Sequence, residues 1–129
     1  MPRKPLSRPT DVELAILRVL WDRGPSSVRE VHIALSKDRD TGYSTTLKMM
    51  QVMFDKRLLR RDASRRPQVY APAVPQEQTQ AQIVDDMVQR VFGGSAQKLV
   101  MRAVQSENVT PDELAEIRRL LKQLEGDRQ

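Results

Sequence analysis

The sequence has 129 residues, with 22 Lys and Arg, 17 Asp and Glu, and 39% hydrophobic residues, which is enough for a domain with a buried core. The absence of cysteine excludes disulfides and thiolate metal sites, and a single histidine, His32, argues against a histidine-based metal or catalytic centre. No apolar run approaches the roughly 18 residues of a membrane span, and the N-terminus lacks the apolar segment of a signal peptide. We therefore expect a cytoplasmic protein with no stable membrane association, no bound cofactor and no enzymatic site.

The net charge of +5 is unevenly distributed along the chain. Residues 1–75 contain 15 Lys and Arg and 8 Asp and Glu, a balance of +7, whereas residues 76–129 contain 7 and 9, a balance of −2. A basic half favours a polyanion as partner, although a basic surface can also serve solubility alone. Residues 1–9 hold three prolines and three basic residues without hydrophobic periodicity, and they predict a flexible basic arm.

Two helices are predicted from capping boxes, in which a hydroxyl and a Glu three residues later satisfy each other's backbone amides. Thr10–Glu13 opens the first helix, and Gly24 followed by proline ends it. Ser27–Glu30 opens a shorter second helix that continues to Leu35. The pattern puts His32 on the solvent side of this second helix, and we assign it no role.

A third helix, predicted over Tyr43–Lys56, has two unlike faces. One arc is apolar apart from a small threonine and comprises Thr46, Leu47, Met50, Met53 and Phe54. The opposite strip carries hydroxyls, a lysine and slim apolar groups, namely Ser44, Thr45, Lys48, Met49 and Val52. Such a strip suits the DNA major groove, where polar groups reach phosphates or base edges and methyl groups contact thymine. For this segment alone, the default interpretation is an ordinary amphipathic surface helix.

Two short alternating runs after the third helix, residues 58–63 and 68–71, predict strands joined by a basic tip with Arg65 and Arg66. Three helices followed by a hairpin is the order of a winged helix-turn-helix, in which the third helix enters the major groove and the hairpin tip lies against the backbone. We therefore predict a winged-helix DNA-binding domain over residues 10–75.

Each candidate DNA-binding residue has an expected role. Ser44 and Thr45, at a helix N-terminus, are expected to hold a phosphate, and Lys48, Met49 and Val52 to face base edges. Ser27 and Arg29 are expected to anchor the second helix on the backbone, and the arginine pair at the tip to neutralise phosphates. The full set is Ser27, Arg29, Ser44, Thr45, Lys48, Met49, Val52, Arg65 and Arg66.

The remaining residues, 76–129, predict a helical dimerisation domain. One helix is expected over residues 76–92, a second after Ser95, and a third after the capping box Thr110–Glu113, which has proline at its favoured first position. Each has a single apolar face, and a second copy of the chain is the simplest partner for these faces; the alternative is folding back as one monomeric domain. The candidate dimerisation residues are Val84, Val88, Leu99, Val100, Val104, Leu114, Ile117, Leu121 and Leu124.

The chain resembles the penicillinase repressor (BlaI/MecI) family over residues 10 to about 125. The resemblance is carried by an ordered set of short motifs: Thr10–Glu13, Val19–Trp21, Gly24, Val28–Val31, Ala34–Leu35, Tyr43–Thr45, Val69–Pro72, Phe92–Ser95, Thr110–Glu113 and Arg118–Leu121. It implies a homodimeric winged-helix repressor that blocks a promoter by binding double-stranded DNA at a dyad operator. In the family's best-known members a membrane-bound sensor protease cuts the repressor in its dimerisation region, which corresponds here to Gln89–Gly94.

Three departures from the family pattern carry expectations of their own. The family often has glycine where Arg57 stands, and a left-handed non-glycine residue costs roughly 1 kcal/mol, so the third helix is expected to end differently or to run on into Leu58. Thr46 replaces a branched aliphatic residue and is expected to loosen the packing of its turn. Without cysteine, the chain lacks the cluster of the copper-responsive branch.

Two other functions remain open at this stage. An effector-gated winged-helix regulator would bind a metabolite between its two modules, and a winged-helix protein-interaction module would have no nucleic-acid role. The basic first half argues against the second alternative. An enzyme is disfavoured, because the sequence has neither paired histidines nor a glycine-rich phosphate loop nor a nucleophile-elbow motif.

Overall fold

The computed structural model describes residues 9–128, so the predicted arm over residues 1–9 lies outside the described residues except for Pro9. The elements, in chain order, are α1 (Asp11–Arg23), α2 (Val28–Leu35), α3 (Tyr43–Asp55), β1 (Leu59–Asp62), β2 (Val69–Pro72), α4 (Gln76–Arg90), α5 (Ala96–Val104) and α6 (Pro111–Asp127). This order confirms the predicted fold class, mainly helical with one hairpin. Contacts divide the chain into two compact units between Ile83 and Val84, inside α4.

The three predicted capping boxes are all formed. In the first box, the Glu13 amide donates to the Thr10 hydroxyl at 3.2 Å, and the Thr10 amide donates to the Glu13 carboxylate at 2.9 Å. The same reciprocal pair opens α2 at Ser27–Glu30 and α6 at Thr110–Glu113. Because each box satisfies amides that a helix otherwise leaves unpaired, the starts of these helices follow from residues only three apart.

The core of the first unit is formed by one face of each of its first three helices together with the hairpin. Its buried members are Ile16, Leu17, Leu20, Val28, Val31, Leu35, Met50, Met53, Leu59 and Tyr70. The predicted inner arc of α3 is confirmed, since Met50 and Met53 are 0% exposed and Thr46 is 1% exposed. With this arc in the core, the opposite face of α3 lies at the surface.

The hairpin is fixed to the start of α2 as well as to itself. β1 and β2 pair antiparallel, with Leu59 opposite Pro72 and Asp62 opposite Val69. On its other edge, the Tyr70 amide donates to the Ser26 carbonyl at 2.8 Å, and the Ser26 amide donates to the Tyr70 carbonyl at 3.0 Å. β2 is therefore hydrogen-bonded on both sides, which fixes the hairpin relative to the helices.

Both expectations for the end of α3, a different ending or an extension into Leu58, are wrong. The helix ends at Asp55, and Arg57 adopts the left-handed conformation with φ of 67°. The Leu58 amide then donates to the Met53 carbonyl at 2.9 Å and the Arg57 amide to the Phe54 carbonyl at 3.0 Å. These two bonds form a Schellman motif, the usual helix end when glycine occupies the left-handed position. The chain takes the glycine conformation with an arginine in place.

The second unit contains the last part of α4 together with α5 and α6. α4 is two residues shorter than predicted and stops before Gly93 and Gly94, whose φ angles are 58° and 87°. The Gly94 amide donates to the Val88 carbonyl at 2.8 Å and closes this helix end. The hydroxyl of Ser95 then accepts from the Lys98 amide at 3.2 Å and opens α5, as predicted.

Candidate nucleic-acid interface

The exposed face of α3 is the centre of the candidate interface. Ser44, Thr45 and Lys48 are exposed, as the sequence predicts, and Gln51 and Asp55 are exposed further along the helix. Neither of the last two was among the predicted site residues. The signal for them was available, because Gln51 and Asp55 stand seven and eleven residues after Ser44, and both spacings return to the same helix face.

The N-terminus of α3 can accept an anion. Its cap is Gly42, which has no side chain to bind the first amides, and the first turn contains no acidic residue. Free amides and the positive end of the helix dipole favour a phosphate at such a position. The exposed hydroxyls of Ser44 and Thr45 stand in the same turn and add further hydrogen-bond donors.

Two of the predicted base-facing residues are less available than expected. Met49 is half-buried and packs against the core, and Val52 is half-buried as well. Both lie to one side of the exposed line of Ser44, Lys48, Gln51 and Asp55, because at 100° per residue Val52 is about 70° and Met49 about 130° around the helix from its centre. Met49 and Val52 are therefore less exposed than Ser44 and Lys48, and their contact with base edges stays a prediction.

The two residues predicted to anchor α2 have different positions. Arg29 is exposed in the first turn of the helix, where a guanidinium can reach a phosphate. Ser27 is only 5% exposed, and its hydroxyl accepts from the Glu30 amide at 3.2 Å. The Ser27 hydroxyl therefore caps α2 and is nearly buried, and its role as a backbone anchor stays a prediction.

His32 lies between α2 and α3, and the expectation of a purely solvent-facing histidine is wrong. Its Nδ1 is 3.3 Å from the hydroxyl oxygen of Thr46, and its ring meets the Tyr43 ring edge-on, with centroids 5.7 Å apart. The Thr46 hydroxyl also donates to the Gly42 carbonyl at 3.4 Å. Thr46 is thus a buried contact between α2 and α3. The loosely packed turn expected at Thr46 does not occur.

The hairpin presents basic side chains beside α3. Arg65 and Arg66 are exposed at its tip, as predicted, and Arg60 is exposed on β1. The Arg61 guanidinium lies over the Phe54 ring, 4.0 Å from its centroid, a cation–π contact between hairpin and helix. Sequence reasoning did not identify the two β1 arginines, although both precede the basic tip in the same hairpin.

Hydrogen bonds order the turn at the start of this tip. The Ser64 hydroxyl donates to the Asp62 carboxylate at 2.6 Å, and the Ser64 amide donates at 3.0 Å. Both bonds lower the pKa of Asp62, and the bond from the Ser64 hydroxyl has the larger effect. The charge of Arg65 lowers this pKa by a smaller amount. The carboxylate therefore stays ionised and holds the turn that presents the arginine pair.

A partly buried ion pair links the end of α3 to the start of α1. The Lys56 ammonium donates to the Glu13 carboxylate at 2.9 Å, and the Glu13 side chain is 2% exposed while that of Lys56 is 46% exposed. Burial alone raises the pKa of Glu13, but the hydrogen bond from the Thr10 amide and the bond and charge of Lys56 outweigh it, so the pKa is lowered. Glu13 is therefore a buried carboxylate held in its ionised form.

The second unit, taken by itself, exposes many large apolar side chains. Among the predicted dimerisation residues, Val84, Val100, Leu114, Leu121 and Leu124 are each at least 39% exposed. Leu99, Val104 and Ile117 are half-buried, whereas Val88 is 8% exposed and is already covered within the chain. Exposed apolar residues outside the predicted set are Met87, Val91, Met101 and Leu120. Apolar side chains exposed in such number are typical of an interaction surface.

Within residues 9–128, none of the helices has the length and apolarity needed to cross a membrane.

Comparison with known proteins gives a consistent result over almost the whole chain. The family model described as "Penicillinase repressor" matches residues 9–123.

Two relatives are named "Transcriptional regulator BlaI" and come from Mycobacterium tuberculosis, strains CDC 1551 / Oshkosh and ATCC 25618 / H37Rv. Each is 36% identical to this chain over 123 residues, which cover 94% of this chain and 88% of the relative. A "Penicillinase repressor" from Staphylococcus aureus is 17% identical over 109 residues, covering 84% of this chain and 86% of that protein. With its winged-helix order and an exposed third helix beside a basic hairpin, the chain belongs to the penicillinase repressor family of transcriptional regulators.

Proposed function

We propose that this protein is a homodimeric repressor that binds double-stranded DNA at a dyad operator, with α3 in the major groove and the hairpin tip on the sugar-phosphate backbone. The observation that carries the proposal is the exposed face of α3. It combines an uncapped N-terminus free of acidic residues with exposed hydroxyls at Ser44 and Thr45 and an ammonium at Lys48. Its place of action is the cytoplasm, where operator DNA lies.

The charge distribution supports DNA as the partner over a protein-interaction role. Residues 1–75 carry +7, and the arginines at 29, 60, 65 and 66 are exposed. Exposed cations on the second helix and on the hairpin suit a duplex, in which phosphates flank the groove that a recognition helix enters.

Selection of bound DNA from a random duplex pool tests this function. The expected product is an inverted repeat, because a two-fold symmetric dimer presents two copies of α3 to two half-sites. If the dimer makes 6–10 phosphate contacts, its affinity for the selected site should fall about 10³–10⁵-fold between 50 and 200 mM salt. A pool without enrichment, or binding that is insensitive to salt, would contradict the proposal.

The dimeric state is the second part of the proposal and rests on the second unit. Its exposed valines, methionines and leucines need a partner surface, and an identical chain provides a self-complementary one. A dimer also doubles the contacts of one recognition helix, and the energetic gain from this second half-site is lost when the subunits separate.

We further propose that repression ends when a membrane-bound sensor protease cuts within Gln89–Gly94. Support comes from the turn after α4, where Val91 is 69% exposed and Gly93 and Gly94 are exposed as well. A cut there would disconnect α5 and α6 from the first unit. A cleavage site for a sequence-specific protease, inserted between Val91 and Ser95, allows the test.

Cleavage of that variant should lower operator affinity by about 10²–10⁴-fold, the range expected when two linked binding units become independent. The uncleaved variant, which should bind as the native chain does, is the control. Full operator affinity after complete cleavage would refute release by this route.

A further inference from the structure

One strip of α3 holds its most exposed polar side chains. Ser44, Lys48, Gln51 and Asp55 are all exposed and follow one another at spacings of four, three and four residues. At 100° per residue these positions fall within about 60° of one another, so they form one line along the helix. Lys48 and Gln51 occupy the middle of this line, roughly 6 and 10 Å beyond Ser44 along the axis at 1.5 Å per residue.

The side chains on either side of this line are partly buried, so Lys48 and Gln51 are the exposed residues in its middle. Met49 packs partly against the core, and Val52 is half-buried. On the far side, Leu47 and Phe54 also pack against the core. In the middle of α3, Lys48 and Gln51 are therefore the exposed polar side chains on this line.

The amide of Gln51 is not committed within the protein. To the residues that the structure describes, it makes no hydrogen bond and no ring contact. This distinguishes it from Thr46 in the same helix, whose hydroxyl meets both His32 and the Gly42 carbonyl. The Gln51 amide is therefore free to bind a group outside the chain.

The chemistry of this strip differs along its length. The ammonium of Lys48 only donates hydrogen bonds, and the carboxylate of Asp55 only accepts them. Gln51 does both through one planar group, and in the major groove adenine offers the matching pair, with N7 as acceptor and the N6 amino group as donor. The acidic Asp55 disfavours phosphate at the far end of the strip, so the polyanion is expected along the part from Ser44 to Gln51.

From these observations we infer that Gln51 is a specificity-determining residue that reads one adenine in each operator half-site through a bidentate amide contact. The inference rests on the proposed function, because it requires α3 to lie in the major groove. It assigns sequence discrimination to a residue outside the strip predicted from the sequence and leaves positioning to Ser44 and Thr45.

The test is parallel selection from a random duplex pool with the native chain, Gln51→Ala and Gln51→Glu, all at one salt concentration. The native chain should select an inverted repeat with an invariant adenine in each half-site. Gln51→Ala should lose the preference for adenine at that position by about 5- to 150-fold and keep the other preferences, since one bidentate pair carries that much discrimination. Gln51→Glu should prefer cytosine there, because a carboxylate accepts from the cytosine amino group.

Gln80→Ala is the matched control, since it removes the same atoms from an exposed residue of α4 and should leave every preference unchanged. If the native chain selects an inverted repeat and both Gln51 variants select the identical sequence, the inference fails while the repressor function stands. If the native chain selects no sequence at all, the proposed function fails and the inference with it. Melting temperatures of the three variants, expected to match that of the native chain, show that each is folded.

Discussion

Arg57 adopts the left-handed backbone conformation, with φ of 67°, which residues other than glycine rarely adopt. The conformation is imposed by its neighbours, because the amides of Arg57 and Leu58 close the last turn of α3. The left-handed conformation costs an L-residue roughly 1–2 kcal/mol, and the protein retains this cost at the junction of the third helix and the hairpin. Arg57 itself is exposed at the surface.

Arg57→Gly should therefore stabilise the protein. Removing the left-handed penalty outweighs the greater freedom of glycine in the unfolded chain, and we expect a net gain of about 0.5–1 kcal/mol in the free energy of unfolding. Denaturant titration measures it. Arg57→Ala removes the same charge but keeps the penalty, so it is the control. Equal stabilities of the Gly and Ala variants would show that the conformation stores no strain.

Glu13 makes the stability of the fold depend on pH. Its carboxylate is buried and ionised, and its pKa is lowered because the bonds from Thr10 and Lys56 outweigh the opposing effect of burial. A carboxyl whose pKa is lower in the folded than in the unfolded chain stabilises the fold above its unfolded pKa. That contribution is lost as the pH falls through the folded value.

Glu13→Gln should accordingly cost about 1–3 kcal/mol in the free energy of unfolding at pH 7, the usual cost of leaving a buried hydrogen-bond partner unsatisfied. The difference from the native chain should shrink as the pH falls below 4.5, the ordinary value for glutamate. Unfolding titrations at a series of pH values measure both effects. Glu30→Gln is the control, because Glu30 caps α2 in the same way but its side chain is 49% exposed; it should cost less. A difference independent of pH would contradict the role of the charge.

At the scale of elements, β2 sets the position of the hairpin. It pairs with β1 on one edge and with Ser26 on the other, and Arg61 of β1 lies over Phe54 of α3. Helix and hairpin therefore share contacts from backbone hydrogen bonds, core packing and a cation–π pair. The hairpin is therefore held in a fixed position relative to α3, with its basic tip exposed.

Replacing Arg65 and Arg66 together with Ala should weaken binding to all DNA sequences alike, because phosphate contacts carry no sequence information. The slope of log affinity against log salt should become shallower by about 2 for each protomer engaged. Binding titrations over a salt series, on a selected site and on random duplex, measure both. The control replaces Arg102 and Arg128, two exposed arginines of the second unit, and should leave the slope unchanged. Loss confined to one sequence would assign base reading to the tip.

At the scale of the whole molecule, two units of opposite character are joined through α4. The first is basic and has a closed apolar core, whereas the second, residues 84–129, has 7 Lys and Arg against 8 Asp and Glu, a balance of −1, and exposes leucines and valines along α5 and α6. One unit therefore fits a polyanion and the other an apolar partner. The proposed dimer uses both properties at once.

Leu121→Asp should dissociate the dimer, because a charge placed in a desolvated seam is costly. Leu121 is 47% exposed in the single chain, so the substitution should leave the fold of the protomer intact. Light scattering should give half the native mass, and circular dichroism an unchanged helix content. Gln123→Asp introduces the same charge on the same helix and should leave the mass unchanged. A Leu121→Asp variant of native mass would exclude this face from the interface.

Most of the secondary structure could be predicted from the sequence, because its determinants are local. Capping boxes at Thr10, Ser27 and Thr110 join residues three apart, and the glycine stop at Gly24 acts on its own turn. The inner arc of α3 was also predictable, since periodicity alone assigns Met50 and Met53 to one side. The order of these elements, with the basic tip after the third helix, was sufficient to predict the winged helix.

Only the tertiary structure decided which groups remain available at the surface. In the folded chain Ser27 is buried, Met49 is partly buried against the core, and His32 contacts Thr46. The Gln51 side chain stays exposed. It also pairs Glu13 with Lys56, which are 43 residues apart. Contacts of this kind depend on how helices pack, and packing is set by the whole core, whereas helix ends depend on groups within one turn. The sequence by itself therefore determined the order of the elements and the two faces of α3, and the fold decided which of its side chains are exposed.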